Sequence, residues 1–200
     1  AFSLAFFQDL SFIRKMEFGS ESELRAANDR MQDEIEELRK QVPLIGPREN
    51  GFRSLSSELE KSQMFTKKMP SVEKKYGGIR RVRGDGNCFF RGFMFRYLEI
   101  LIENEAERKR VTELVRGSLD YLLLVGYEKV SIETFYDVVL DMLEGLGGET
   151  DIQKLFSDDG ESDYVVWYCR LLCAGFLKHN EDRFMPFITG LYSNIADFCS

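Results

Sequence analysis

Arg83-Gly84-Asp85-Gly86-Asn87-Cys88-Phe89-Phe90 decides the reading of this chain. A glycine-rich turn runs into an apolar stretch, and a cysteine stands at the junction. A helix begun at Cys88 would turn its first free backbone N–H groups, with their partial positive charge, toward the sulfur. Such a position favours a thiolate. The same N–H groups can hold an oxyanion developing on a substrate carbonyl. Gly84 and Gly86 permit a tight turn and leave the backbone bare for a substrate. Asp85 and Asn87 add polar groups, and Asp85, three residues upstream of the sulfur, can fold back over the loop. Cys88 is therefore a candidate nucleophile, with Asp85, Gly86, Asn87 and Cys88 as a candidate oxyanion loop. Two alternatives stand beside this reading. A free cysteine is often only a small core residue, and Asp-Gly-Asn-Cys can be ordinary turn punctuation before a helix.

Downstream, residues 88–102 carry Phe89, Phe90, Phe93, Phe95, Leu98, Ile100 and Leu101. A stretch apolar on nearly every side predicts a buried central helix. Residues 105–125 predict a second helix, ending at Gly126. Ser131 is expected to cap a third that runs to about Leu146 and stops at Gly147-Gly148. Thr150 and Gln153 read as the capping box of a short helix ending near Phe156, and Ser157–Gly160 as a turn. Residues 163–177 predict an apolar helix, and Asn180 opens a last one through Phe184, Phe187, Ile188, Leu191, Ile195 and Phe198.

Upstream, Ile79–Arg83 alternates as a short strand, its arginines expected on a solvated face rather than at a nucleic-acid site. Residues 43–56, with Pro43, Gly46, Pro47 and Gly51, read as a connector. Residues 57–76 read as helical in part, with Pro70 expected to interrupt or begin a helix. Residues 21–42 predict a helix through Leu24, Met31, Ile35, Leu38 and Val42, stopped by Pro43. It is either a solvated helix docked by one stripe or an arm that grips a partner. Residues 1–20 read as a cloning-derived or flexible tail, since Glu17-Phe18-Gly19-Ser20 resembles a cloning-site linker. The expected organisation is six or seven helices and at most one strand, in one domain over residues 44–200 with the 21–42 helix attached.

The 200 residues carry a net charge of -7, which argues against nonspecific nucleic-acid binding. Cys88, Cys169, Cys173 and Cys199 lack the spacing of a zinc knuckle, and their sparseness points to a reducing, cytosolic compartment. Cys169, Cys173 and Cys199 lie within or beside apolar helical patterns and are expected in the core. No run of about 18 apolar residues is present to span a membrane. No metal or organic cofactor is implied. A cysteine hydrolase also needs a base, normally a histidine within reach of the sulfur. His179, the single histidine, stands at the junction of two predicted helices. It serves as that base only if the fold carries it to Cys88, and is otherwise a solvent-exposed junction residue.

With these residues laid out, the chain resembles the otubain family of the ovarian-tumour (OTU) superfamily of cysteine deubiquitinases. Asp85-Gly86-Asn87-Cys88-Phe89-Phe90-Arg91-Gly92-Phe93 is similar to the family's catalytic loop and central helix. Asp29–Ile35, Val42–Ile45, Phe135–Val138, Ser162–Val166 and Phe187–Gly190 follow in the family's order, from about residue 25 to the end.

The resemblance implies an α/β, papain-like fold of the OTU type, with a helical lobe against a small sheet. Cys88 is then the nucleophile, and Asp85 the upstream active-site aspartate of the oxyanion loop. The implied reaction is hydrolysis of the isopeptide bond between the C-terminal glycine of ubiquitin and a lysine, often with preference for one polyubiquitin linkage. The N-terminal helix of such proteins contacts the proximal ubiquitin. Some members bind ubiquitin-charged conjugating enzymes (E2) without turnover, so a non-catalytic ubiquitin- and E2-binding module is the alternative. A cytoplasmic location, shared with the nucleus, is implied. The family places its catalytic histidine near its C-terminus in a strand-rich segment, and this sequence stops at Ser200. That histidine, its partner and most of the sheet are expected beyond Ser200 or on a second chain. Residues 1–200 alone are then expected to be mostly helical, to expose a large apolar patch and to lack activity.

Overall fold

The computed structural model describes residues 41–200 except 158, 159, 189, 191 and 200, and eight residues before them: Ser22, Arg25, Ala26, Asp29, Arg30, Met31, Asp33 and Glu37. The chain divides into a unit of residues 1–42 and a unit of residues 43–200. In the first unit all eight early residues are helical. Met31 and Val42 of the anticipated apolar stripe are exposed. Leu24, Ile35 and Leu38, like the whole of residues 1–20, lie outside the described residues.

The second unit opens with a narrow antiparallel ribbon. β1 (Glu49–Asn50) pairs with β2 (Gly78–Ile79), Glu49 opposite Ile79 and Asn50 opposite Gly78. A bridge between Ile45 and Val82 extends it. The Gly46 N–H donates to the Arg81 carbonyl at 2.8 Å, and the Arg83 N–H to the Leu44 carbonyl at 3.0 Å. The anticipated connector is thus half of a ribbon, and Leu44, Ile45 and Phe52 anchor it in the core. The arginines also depart from expectation. Arg83 is 8% exposed. Arg81 pairs with Glu49 at 3.1 Å and Glu58 at 2.7 Å, while Arg80 donates to Gln153 at 3.0 Å and to the Gly46 carbonyl at 3.2 Å. The unit's own carboxylates and carbonyls answer these cations, where alternation alone suggested a wet face.

Two helices lie between the strands, α1 (Arg53–Glu58) and α2 (Gln63–Lys75). α2 continues through Pro70, which is exposed and makes no backbone bond of its own to the preceding turn. The helical body follows: α3 (Cys88–Glu103), α4 (Glu105–Leu124), α5 (Lys129–Gly145), the short α6 (Ile152–Leu155), α7 (Ser162–His179), α8 (Glu181–Ile188) and α9 (Ile195–Cys199). The Asn104 side chain accepts the Glu107 N–H at 3.0 Å and so caps α4. Ser131 is not a cap, because α5 begins earlier, at Lys129. Asp151, not Thr150, caps α6 by accepting the Lys154 N–H. Thr150 instead accepts from the Gly147 N–H, and Gln153 donates to the Ile45 carbonyl. The expected last helix is two helices, with Gly190 between them at φ +100°, a left-handed conformation that glycine adopts freely. The described residues therefore hold nine helices in this unit and one two-stranded sheet, a predominantly helical chain with a small sheet as expected.

α7 is the hub, packing against α3, α4, α5, α8 and α9. Leu98 and Leu101 of α3, Leu122 of α4, Val139 and Leu143 of α5, and Val165 and Val166 of α7 are almost wholly buried. Each such side chain contributes roughly 1.5–3 kcal/mol through removal from water. Phe95 meets Phe156 edge-on, with ring centroids 5.4 Å apart. The central helix is buried on only one side. Phe89 is 72% exposed and Phe93 57%, and they stack in sequence with Tyr97 along the outer face of α3. Trp167 and Phe176 of α7 are also half exposed. α3 and α7 therefore carry bare aromatic surface, in keeping with the expected apolar patch.

Burial at the hub has a consequence for stability in alkali. It pushes the Cys169 thiol up to about 12, with nearby Cys173 adding to the shift. It also pushes the Tyr168 hydroxyl up to about 12, although the Ser118 hydroxyl, 2.6 Å away, works against this. Unfolded, the two groups ionise nearer 9.0 and 10.0, so in alkali the folded state holds more protons than the unfolded. Their contribution to stability is whole below the unfolded values and is lost as pH climbs toward 12. Urea midpoints should fall between about pH 8 and about pH 11, and Cys169→Ala should make that fall shallower. An equal slope in both proteins would contradict the role given to Cys169.

Candidate active site

The loop that carries Cys88 is fixed from both ends. The bond from the Arg83 N–H to the Leu44 carbonyl ties its start to the ribbon. The Asp85 N–H donates to the Arg83 carbonyl at 3.0 Å, and Gly86 turns the chain at φ +86°. The Asn87 N–H then donates to Asp85 Oδ1 at 3.0 Å, a turn closed by an aspartate side chain. α3 starts immediately, with the Arg91 N–H donating to the Asn87 carbonyl at 3.0 Å. Cys88 is the first helical residue, and its side chain is exposed. Two backbone donors in the loop are thus consumed locally, those of Asp85 and Asn87. Those of Gly86 and Cys88 enter no hydrogen bond among the described residues.

Beneath the loop lies a buried cation. Arg91, one turn into α3, is 1% exposed. Its Nη1 donates to Asp85 Oδ2 at 2.7 Å, its Nε to Ser162 Oγ at 2.8 Å and its Nη2 to Asp163 Oδ1 at 2.9 Å. A guanidinium has only donors and keeps its charge, so it can be buried only where acceptors surround it. Ser162 and Asp163 open α7, and Asp85 belongs to the loop, so one side chain locks loop, central helix and hub helix together. A second link lies further along α7. Arg170 Nη1 reaches Asn87 Oδ1 at 3.4 Å, with its guanidinium over the Trp167 ring at 5.6 Å.

The structure brings Asp85, Gly86, Asn87 and Cys88 together as one loop and leaves His179 elsewhere. His179 is the last residue of α7, its ring edge-on to Tyr121 of α4 at 5.9 Å. It lies nine residues past Arg170, roughly 13 Å along the helix axis. Of the other cysteines, Cys169 and Cys199 are partly buried, whereas Cys173 is exposed rather than in the core. Burial raises the thiols of Cys173 and Cys199 as well. Among the described residues, no group of acidic, histidine and cysteine side chains could hold a metal ion. Sequence reasoning quoted Arg91, Ser162 and Asp163 without giving them a role, and passed over Arg170. A signal for Arg91 was present: it shares the buried stripe of Phe95 and Leu98, where an arginine needs an acceptor, and Asp85 stands six residues before it.

Known proteins resemble this chain over most of its length. Residues 37–200 match the family Peptidase C65 Otubain. Human "Ubiquitin thioesterase OTUB1" is 33% identical over 179 residues, covering 88% of this chain and 65% of the human protein. The Arabidopsis thaliana "OVARIAN TUMOR DOMAIN-containing deubiquitinating enzyme 1" is 36% identical over 201 residues, covering 95% of this chain and 64% of that protein. Among solved structures, "The structure of a ceOTUB1 ubiquitin aldehyde UBC13~Ub complex" matches with a TM-score of 0.76 at 30% identity, over 84% of this chain and 69% of that one. "The structure of h/ceOTUB1-ubiquitin aldehyde-UBCH5B~Ub" matches with a TM-score of 0.75 at 30% identity, over 90% and 71%. The chain spans about 65% of the length of the human relative.

Proposed function

Because this chain belongs to the otubain family of cysteine deubiquitinases, we propose that Cys88 is the nucleophile of a thiol hydrolase acting on the isopeptide bond at the C-terminal glycine of ubiquitin. One observation carries the reading. An exposed cysteine begins α3, on a loop whose shape is held from below by the buried Arg91. In the proposed reaction the Cys88 thiolate attacks the glycine carbonyl. The unengaged N–H groups of Gly86 and Cys88 receive the oxyanion, while Asp85 keeps the loop in shape rather than touching substrate. The lysine amine leaves with a proton from a general acid, and water then releases ubiquitin from the thioester.

We place that acid–base group outside residues 1–200, on further polypeptide of the same protein or on a second chain. His179, the only imidazole in the sequence, rests against Tyr121. The bare rings of Phe89 and Phe93 beside Cys88 offer apolar surface on which such a segment can seat. In this reading residues 44–200 are the larger part of an OTU-type domain, and residues 21–42 are an arm toward the proximal ubiquitin. The partners proposed are ubiquitin, polyubiquitin of one preferred linkage and ubiquitin-charged E2, by likeness to relatives solved with ubiquitin aldehyde, UBC13~Ub and UBCH5B~Ub. No described helix is long and apolar enough to cross a membrane, and we propose a cytoplasmic and nuclear location.

The distance of His179 from the loop also favours a second reading, a module that binds ubiquitin and E2 without turnover. Incubation with a panel of diubiquitins separates the two. The protein taken from its own cells should cleave one linkage, Cys88→Ala should stop it, and the 200-residue chain should cleave none. Cleavage by the 200-residue chain that depends on Cys88 would show the base to be misplaced here. Tight ubiquitin binding without cleavage in any preparation would favour the binding module.

A further inference from the structure

We infer that Arg170 is a positioning residue of the proposed reaction, acting through the Asn87 carboxamide; the inference rests on the reading of Cys88 as nucleophile. Asn87 occupies the N-cap position of α3, where an asparagine side chain ordinarily accepts a backbone N–H of the first turn. Here it makes no such bond. Its Oδ1 faces Arg170 Nη1 at 3.4 Å instead. That partner settles which way the amide faces. Arginine has donors and no acceptor, so only the oxygen edge of the carboxamide can meet it.

Arg170 is itself held. Its guanidinium lies over the Trp167 ring, one turn earlier on α7, with 5.6 Å between guanidinium carbon and centroid. α7 therefore grips the loop at two points: Ser162 and Asp163 hold Arg91 under Asp85, and Arg170 holds Asn87. The Asn87 backbone is fixed separately, by the bond from its N–H to Asp85 Oδ1. Losing Arg170 leaves the backbone turn standing and frees the carboxamide alone. A freed carboxamide can swing its Oδ1 onto the free N–H groups of Phe89 or Phe90 in the first turn of α3, where it would offset the partial positive charge that favours the Cys88 thiolate.

The test is a double-mutant cycle on the rate of Cys88 acylation by ubiquitin bearing a C-terminal electrophile, using the protein from its own cells. Arg170→Met should slow the saturating rate about 3- to 10-fold, the worth of one exposed charge-assisted hydrogen bond, and leave half-saturation unchanged. Arg170→Lys should recover part of the loss. In an Asn87→Ala background, Arg170→Met should cost nothing further. An unchanged rate in Arg170→Met, or an equal loss in both backgrounds, overturns the inference. A second readout needs no reaction. The Asn87 side-chain amide resonances should shift in Arg170→Met with the thermal midpoint unchanged, and resonances that stay in place also overturn it. If the unmutated protein forms no adduct, the proposed function fails, and the resonances alone then decide whether Arg170 holds Asn87.

Discussion

Arg91→Met is expected to lower the free energy of unfolding by about 3 kcal/mol, read as a drop in the urea midpoint at unchanged slope. Methionine keeps most of the volume, so packing is nearly preserved and the loss reports the three bonds. Not all partners are stranded equally. Asp163 is 68% exposed and Asp85 23%, so water can reclaim both carboxylates in part. Ser162 is 1% exposed, and its hydroxyl is left without its donor. These exposures place the effect at the low end of the 3–5 kcal/mol typical of breaking a buried pair. Arg91→Lys should recover little, because one ammonium cannot reach three acceptors spread around a planar fork. A change below about 1 kcal/mol in Arg91→Met would mean that Arg91 does not hold the loop to α7.

Cys88→Ala is expected to do the reverse, leaving stability within about 0.5 kcal/mol and removing reactivity. The side chain is exposed, so its loss opens no cavity. The reaction with a ubiquitin electrophile should fall by at least about 10³-fold, since nothing else in the loop is nucleophilic. Ubiquitin binding should persist, which separates lost chemistry from a lost surface. The pair of variants therefore splits platform from chemistry: Arg91 carries the first, Cys88 the second.

Much of this was legible in the sequence, and the failures share a cause. The glycines around Asp85 and the cysteine before an apolar run specified a loop feeding a helix, and the loop is there. Helices α4, α5 and α7 followed from apolar spacing within a few residues. Periodicity cannot see partners far along the chain. Leu44 and Ile45 looked like connector because their ribbon mates lie near Val82. Ser131 looked like a cap because a hydroxyl before an apolar run is a local signal, while the helix starts at Lys129, three residues before a Ser131 cap would begin it. Arg91 gave a local signal in Asp85, six residues before it, but its other two acceptors, Ser162 and Asp163, lie 71 and 72 residues away. The same limit hid Arg170, whose partner Asn87 is 83 residues upstream. The loop could be read locally; the clamp that shapes it could not.

The most direct measurement is the site of covalent modification by ubiquitin carrying a C-terminal electrophile, with the protein taken from its own cells, digested and analysed by mass spectrometry. The expected result is a one-to-one adduct on the peptide containing Cys88, absent in Cys88→Ala. An adduct on the exposed Cys173, or labelling that survives in Cys88→Ala, would contradict the assignment of Cys88 as the nucleophile.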